Sequence, residues 1–153
     1  MKIVVICLLL AISAVCSATE TAFSAANHIR LKNLATSGSK SAQKALKITE
    51  NFDKALTAIL IGNNVVNISA SSLATVLFTE QFGSGSVAAA TLVMTVLVLI
   101  FGEILPKSLA KEYAESFSML MAAPLSVCMT ILTPAIWFFS AIKRFATARL
   151  GGK

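Results

Sequence analysis

The chain opens on an apolar run from residue 3 to about residue 26, interrupted only by Glu20. Lys2, the run itself and Cys16-Ser17-Ala18 resemble a signal peptide. Two features favour a retained transmembrane helix. The helical pattern continues past Ala18 through Thr21, Ala22, Phe23 and Ala25, and cleavage would cut a polar cluster apart. Residues 28 to 54 change character, carrying His28, Arg30, Lys32, Lys40, Lys44, Lys47 and Lys54 beside Glu50 and Asp53. Ser37-Gly38-Ser39 predicts a turn between two short amphipathic helices, the second with Ala42, Ala45, Leu46 and Ile48 as its apolar positions. Such a hairpin lies at the membrane surface and does not span it. A second span is predicted over residues 55 to 79, about 37 Å of helix. A loop over 80 to 85 without a basic residue leads to a third span over 86 to 105, expected to end at Pro106-Lys107.

The charges orient these spans. Lys and Arg gather on the cytoplasmic side, so the basic hairpin is expected inside, the 80–85 loop outside, and Lys107 and Lys111 inside again. The N-terminus is left outside, against the vote of Lys2. The last apolar stretch, residues 116 to 142, is long enough to cross. A crossing would carry Lys143, Arg144, Arg149 and Lys153 outside, and Pro124 and Pro134 break its helix. The expectation is a kinked helix along the cytoplasmic face, with Trp137, Phe138 and Phe139 at the interface.

Composition agrees with this reading. Of 153 residues, 56% are hydrophobic and 13% charged, about half the charged share of a soluble domain. Mean hydropathy is +0.80. Lipid must act as solvent for this much apolar surface, and one multi-pass domain of the cell membrane over residues 1–153 is expected. The net charge of +6 comes without a basic stripe interleaved with aromatics, so nucleic acid is not an expected partner. Cys7, Cys16 and Cys128 sit in apolar stretches without metal-ligand spacing.

Three polar clusters interrupt the apolar runs. Ser17, Glu20, Thr21 and Ser24 share one face of the first span. Asn63, Asn67 and Ser71 are spaced four apart on the second, with Asn64 beside them, and Gly102-Glu103 precedes Pro106 by one turn on the third. Each has an ordinary explanation. Hydroxyls bond their own helix, Asn acts as interhelical glue, and Glu103 can pair with Lys107 at i+4. Together they are harder to dismiss, because a charged carboxylate inside a span costs roughly 3 kcal/mol. All of them present oxygen, which suits a hard cation such as Mg²⁺, Ca²⁺ or Na⁺ and disfavours Zn²⁺ or Cu⁺. Gly62 and Pro106 are expected to loosen their helices and free backbone carbonyls as further ligands.

Ser17-Ala18-Thr19-Glu20-Thr21-Ala22, the 61–68 segment Ile-Gly-Asn-Asn-Val-Val-Asn-Ile, and the 101–108 segment Phe-Gly-Glu-Ile-Leu-Pro-Lys-Ser resemble the transmembrane domain of the CNNM/CorC magnesium transporters. The likeness covers nearly the whole chain. It implies an all-α membrane protein and a homodimer. Each subunit would have three transmembrane helices, a cytoplasmic helical hairpin and a juxtamembrane belt helix. It also implies Mg²⁺ export, coupled to Na⁺ entry. Carried over residue by residue, Ser17, Asn63, Asn67 and Glu103 are the implied ion ligands, with Glu20 and Asn64 as neighbours that shape the cavity or add charge. Family members continue into paired cytoplasmic CBS domains that bind ATP, and the resemblance implies these for the full-length protein. The rival expectation is a membrane anchor and dimerisation module in which the polar residues are glue. An intramembrane enzyme lacks a His or Asp within the spans to build a nucleophile–base pair.

Overall fold

The structure is a computed structural model that describes residues 1–150, apart from the side chains of residues 143, 146 and 148–150. The described chain is all-helical. Helix α1 (Lys2–Ala25) is 24 residues of apolar sequence. It ends where Ala26 turns extended, because Asn27 begins the next helix by accepting from Ile29 N and Arg30 N at 3.0 and 3.1 Å. The predicted hairpin follows as α2 (His28–Thr36) and α3 (Lys40–Glu50). Its turn needs Gly38, whose φ is +98°. Ser39 caps α3, and Gln43 Nε2 donates to the Ala35 carbonyl at 3.1 Å to close the hairpin.

Helix α4 (Phe52–Phe82) then runs for 31 residues, about 46 Å and longer than a hydrocarbon core. It overruns the predicted loop at 80–85 and stops at Gly83, whose φ is +83°. After a single turn at Ser84–Ser86, α5 (Val87–Leu97), a π-helical segment (Val98–Ile104) and α6 (Leu105–Glu112) form one apolar run. The expected stop at Pro106 does not occur. The preceding turns widen instead, with Leu105 N bonding back to the Ile100 carbonyl five residues earlier. In that register the Phe101 carbonyl faces Pro106, which has no N–H to offer. Gly62, by contrast, lies within unbroken α-helix.

The last stretch is α7 (Ala114–Ile131) and α8 (Thr133–Leu150), parted at Leu132 just before Pro134. Pro124 was expected to break this helix and does not; it sits inside α7. Among the described residues, four helical runs are long and apolar enough to cross a membrane: Lys2–Ala25, Phe52–Phe82, Ser84–Glu112 and Ala114–Ile131.

Packing sets the directions. Lys2 pairs with Glu80, while Phe23 shares a buried cluster with Ala55 and Ile59, so α1 and α4 are antiparallel. Ile6 packs with Met94, and Ala18 and Ala22 with Ala110, so the third run is parallel to α1. The seams are rich in alanine, the small residue that lets membrane helices approach without a hydrophobic driving force. Ile3, Val4, Leu8, Ile12, Leu92 and Phe101 point outward, as side chains with lipid for solvent do. The largest cluster joins α1 and α4 to the hairpin (Leu31, Ala45, Ile48) and to Ala122 and Leu125 of α7. Arg30 lies 3.9 Å from Glu115 near the start of α7. Ser126, Met129 and Thr130 near its end face Lys47, Asn51 and Lys54 across a groove. Both ends of α7 therefore sit beside the hairpin.

Candidate cation site

Most span hydroxyls behave as the ordinary explanation expects. Thr19, Ser69, Thr75, Thr79, Thr91 and Thr95 each donate to the carbonyl four residues earlier, at 2.6–2.9 Å. Two buried serines of α1 do not. Ser13 Oγ donates to Asn63 Oδ1 of α4 at 2.9 Å. Ser17, one turn along the same face and wholly buried, has an Oγ without a hydrogen-bond partner among the described residues. Asn67 Oδ1 is likewise buried and unpartnered.

The third run enters at the same depth. A Cβ on Gly102 would stand 3.0 Å from Ser13 Oγ, so glycine lets the π segment come this close to α1 without displacing that hydroxyl. Glu103 follows, half-buried, with no hydrogen bond or ion pair among the described residues. The alternative pairing of Glu103 with Lys107 is not what forms. Lys107 Nζ lies 3.4 Å from Glu20 Oε2, bridging α6 to α1 and answering the Glu20 charge.

The paired contacts fix relative depths. Ser13 meets both Asn63 and Gly102, and Ser17 is one turn, about 6 Å, toward the hairpin end. Asn63 and Glu103 therefore stand level with the stretch of α1 between the two serines. Because α4 runs the other way, Asn67 lies one turn toward the opposite end. It opens there on a cleft of about 380 Å³, shared with Ser71, Ser72 and Thr95. The structure thus sets Asn63 and Glu103 near the level of Ser13, with Ser17 one turn to the hairpin side and Asn67 one turn to the other. Asn64 is exposed on the outer side of α4, and Ser24 is exposed near the end of α1.

Sequence reasoning missed Ser13. The signal was available, since Ser13 precedes Ser17 by four residues and extends its stripe by a turn. It also missed the π segment, whose only cue was a proline closing an otherwise helical run. Among the described residues no group of three His, Cys, Asp or Glu side chains gathers. The chemistry on offer is neutral hydroxyl and amide oxygen with one unpaired carboxylate, a set for a hard cation.

The sequence model of the cyclin M (CNNM) transmembrane N-terminal domain matches residues 4–153. An Escherichia coli (strain K12) inner membrane protein, UPF0053 protein YfjD, is 39% identical over 145 residues, 93% of this chain and 33% of its own length. A Haemophilus influenzae UPF0053 protein is 41% identical over 138 residues, 90% of this chain and 32% of its own. The polyamine export protein of Escherichia coli (strain K12) is 29% identical over 154 residues, 92% of this chain and 34% of its own. The chain spans about a third of the length of these curated relatives. It belongs to the CNNM family, as a multi-pass membrane domain of the cyclin M transmembrane N-terminal type.

Proposed function

We propose that this domain moves Mg²⁺ across the cell membrane, outward and in exchange for Na⁺, through the polar layer between α1, α4 and the π segment. The observation that carries the reading is the pair of buried, unpartnered oxygens, Ser17 Oγ and Asn67 Oδ1. A buried polar atom left unsatisfied costs about 1–3 kcal/mol, and glue would have been paired. A cation cargo supplies the missing partner to both.

Mg²⁺ gives up water reluctantly and demands close octahedral geometry. The half-buried carboxylate of Glu103 attracts the ion to the level of Asn63, one turn from Ser17. Neutral oxygens there, with the Phe101 carbonyl facing Pro106, replace part of its hydration without trapping it. Asn67, one turn on, receives the ion next and passes it to the hydroxyl-lined cleft at Ser71 and Ser72. Na⁺ is held by the same oxygen set in the return half of the cycle. Asn64, exposed on α4, faces lipid or the second subunit of a homodimer. CBS domains belong to the full-length protein.

The topology that goes with this reading has three crossings, α1, α4 and the α5–α6 run. The hairpin is cytoplasmic and α7 lies as a belt along the inner face. Support comes from both ends of α7 sitting beside the hairpin, where a crossing helix would leave one end about 27 Å away. The test is Mg²⁺ flux in proteoliposomes under an imposed Na⁺ gradient. Wild type is expected to drive Na⁺-dependent flux, and an Asn67→Ala/Glu103→Gln variant to lose it. Unchanged flux in that variant refutes the assignment.

A second reading is export of an organic polycation. One relative is named a polyamine export protein, and the cleft at Asn67 has apolar walls in Met94, Val98 and Leu99 that suit an aliphatic chain. Spermidine flux that outcompetes Mg²⁺ in the same proteoliposomes would favour it.

A further inference from the structure

An open groove of about 730 Å³ lies between the hairpin and the last two helices, away from the ion path. Three cationic side chains line it: Lys47 of α3, Lys54 of α4 and Arg144 of α8. No acidic side chain lines it among the described residues. Its floor is apolar, with Ile48 and Ile136 buried, and the ring of Trp137 stands exposed at its edge. Thr130 and Ser140 add hydroxyls.

The position of the groove selects its occupant. Lys54 stands in the first turn of α4, immediately before the apolar span, so the groove opens where hydrocarbon meets water. Phospholipid headgroups are the concentrated anions at that depth. A headgroup phosphate matches three cations that otherwise repel one another, and an acyl chain matches the Ile48–Ile136 floor. The exposed indole is the side chain that favours the headgroup level. Free phosphate would use the charges and leave the apolar floor unexplained.

We propose that this groove binds one anionic glycerophospholipid of the inner leaflet, clamping α8 to the hairpin. The inference rests on the membrane orientation proposed above but not on transport, and its test contains no flux. Trp137 is the sole tryptophan of the sequence and therefore reports on its own groove. The purified chain is placed in phosphatidylcholine vesicles doped with either brominated-chain phosphatidylglycerol or brominated-chain phosphatidylcholine. Trp137 emission is expected to be quenched at several-fold lower content of the anionic lipid. One Lys or Arg near an anionic surface is worth about fivefold in affinity. Arg144→Gln should therefore weaken the preference about fivefold, and Lys47→Gln/Lys54→Gln/Arg144→Gln about a hundredfold. Lys32→Gln/Lys40→Gln/Lys44→Gln removes equal charge outside the groove and should leave the preference in place. Equal quenching by the two lipids overturns the proposal, and this wild-type comparison decides even if the triple variant fails to fold. Equal loss in the control triple would mean diffuse surface attraction and also overturns it. Relief of quenching by millimolar inorganic phosphate would identify a free-anion site and overturns it as well.

Discussion

Ser13 and Ser17 are the same residue type on the same buried face, one turn apart, and they do opposite things. Ser13 satisfies Asn63 across the helix seam, whereas Ser17 has no partner among the described residues. Their alanine variants should therefore differ in sign. Ser13→Ala leaves Asn63 Oδ1 without its donor and should destabilise by about 1–3 kcal/mol. Ser17→Ala removes an unsatisfied hydroxyl and should be neutral or stabilising in Mg²⁺-free detergent. Thermal unfolding of the two variants decides, and equal destabilisation would return both serines to the role of glue. Gly102 offers a second test. Gly102→Ala forces a Cβ to 3.0 Å from Ser13 Oγ and should cost about 1–3 kcal/mol. In a Ser13→Ala background the nearest neighbours of that Cβ stand at 3.6 Å, so the cost should shrink; strict additivity would show that the two residues do not touch. Polar type inside an apolar run was enough to mark the clusters around Ser17, Asn63 and Glu103 from sequence, and the family resemblance narrowed them to Ser17, Asn63, Asn67 and Glu103. Polar type alone could not separate Glu20 from Glu103, because their ion pairing is set by Lys107, and which carboxylate a lysine reaches is decided between helices.

Helix boundaries depended on local chemistry wherever a cap or turn set them. Gly38 makes the hairpin turn where the sequence predicted it, and Asn27 and Ser39 cap the two helices. Proline was a poorer guide. Pro134 does begin a helix, but Pro124 is absorbed within α7 and Pro106 follows a π segment in place of a stop. A proline breaks a helix only where no neighbour or register shift absorbs the lost bond, and sequence carries neither. Length and hydropathy likewise qualify α7 as a span, while its contacts hold both ends at the hairpin. A single-cysteine protein lacking Cys7, Cys16 and Cys128 and carrying Thr147→Cys tests this. An impermeant maleimide should label it from the same side as a Ser37→Cys control. Labelling from the opposite side would make α7 a fourth crossing.

For the molecule as a whole, the packing is alanine seams around a polar layer, with the hairpin and α7 buttressing one end. If the polar layer holds Mg²⁺, binding must raise stability. The expected gain is about 2.7 kcal/mol at a hundred times the dissociation constant. Thermal unfolding should shift upward with Mg²⁺ in the wild type and not in Asn67→Ala/Glu103→Gln. An unshifted wild type at saturating Mg²⁺ would favour an anchor without transport.

Apolar runs, their lengths and the basic hairpin between them are one-dimensional facts, so the sequence by itself determined that this is a helical membrane protein and which polar residues interrupt it. Solvation drives both conclusions and needs no partner. The tertiary structure alone decided that Ser13 joins Asn63, that Gly102 admits the third run to that level, and that Lys107 takes Glu20 and leaves Glu103 free of any ion pair among the described residues. Those outcomes depend on helix direction and relative depth, which the order of residues in any one helix does not encode.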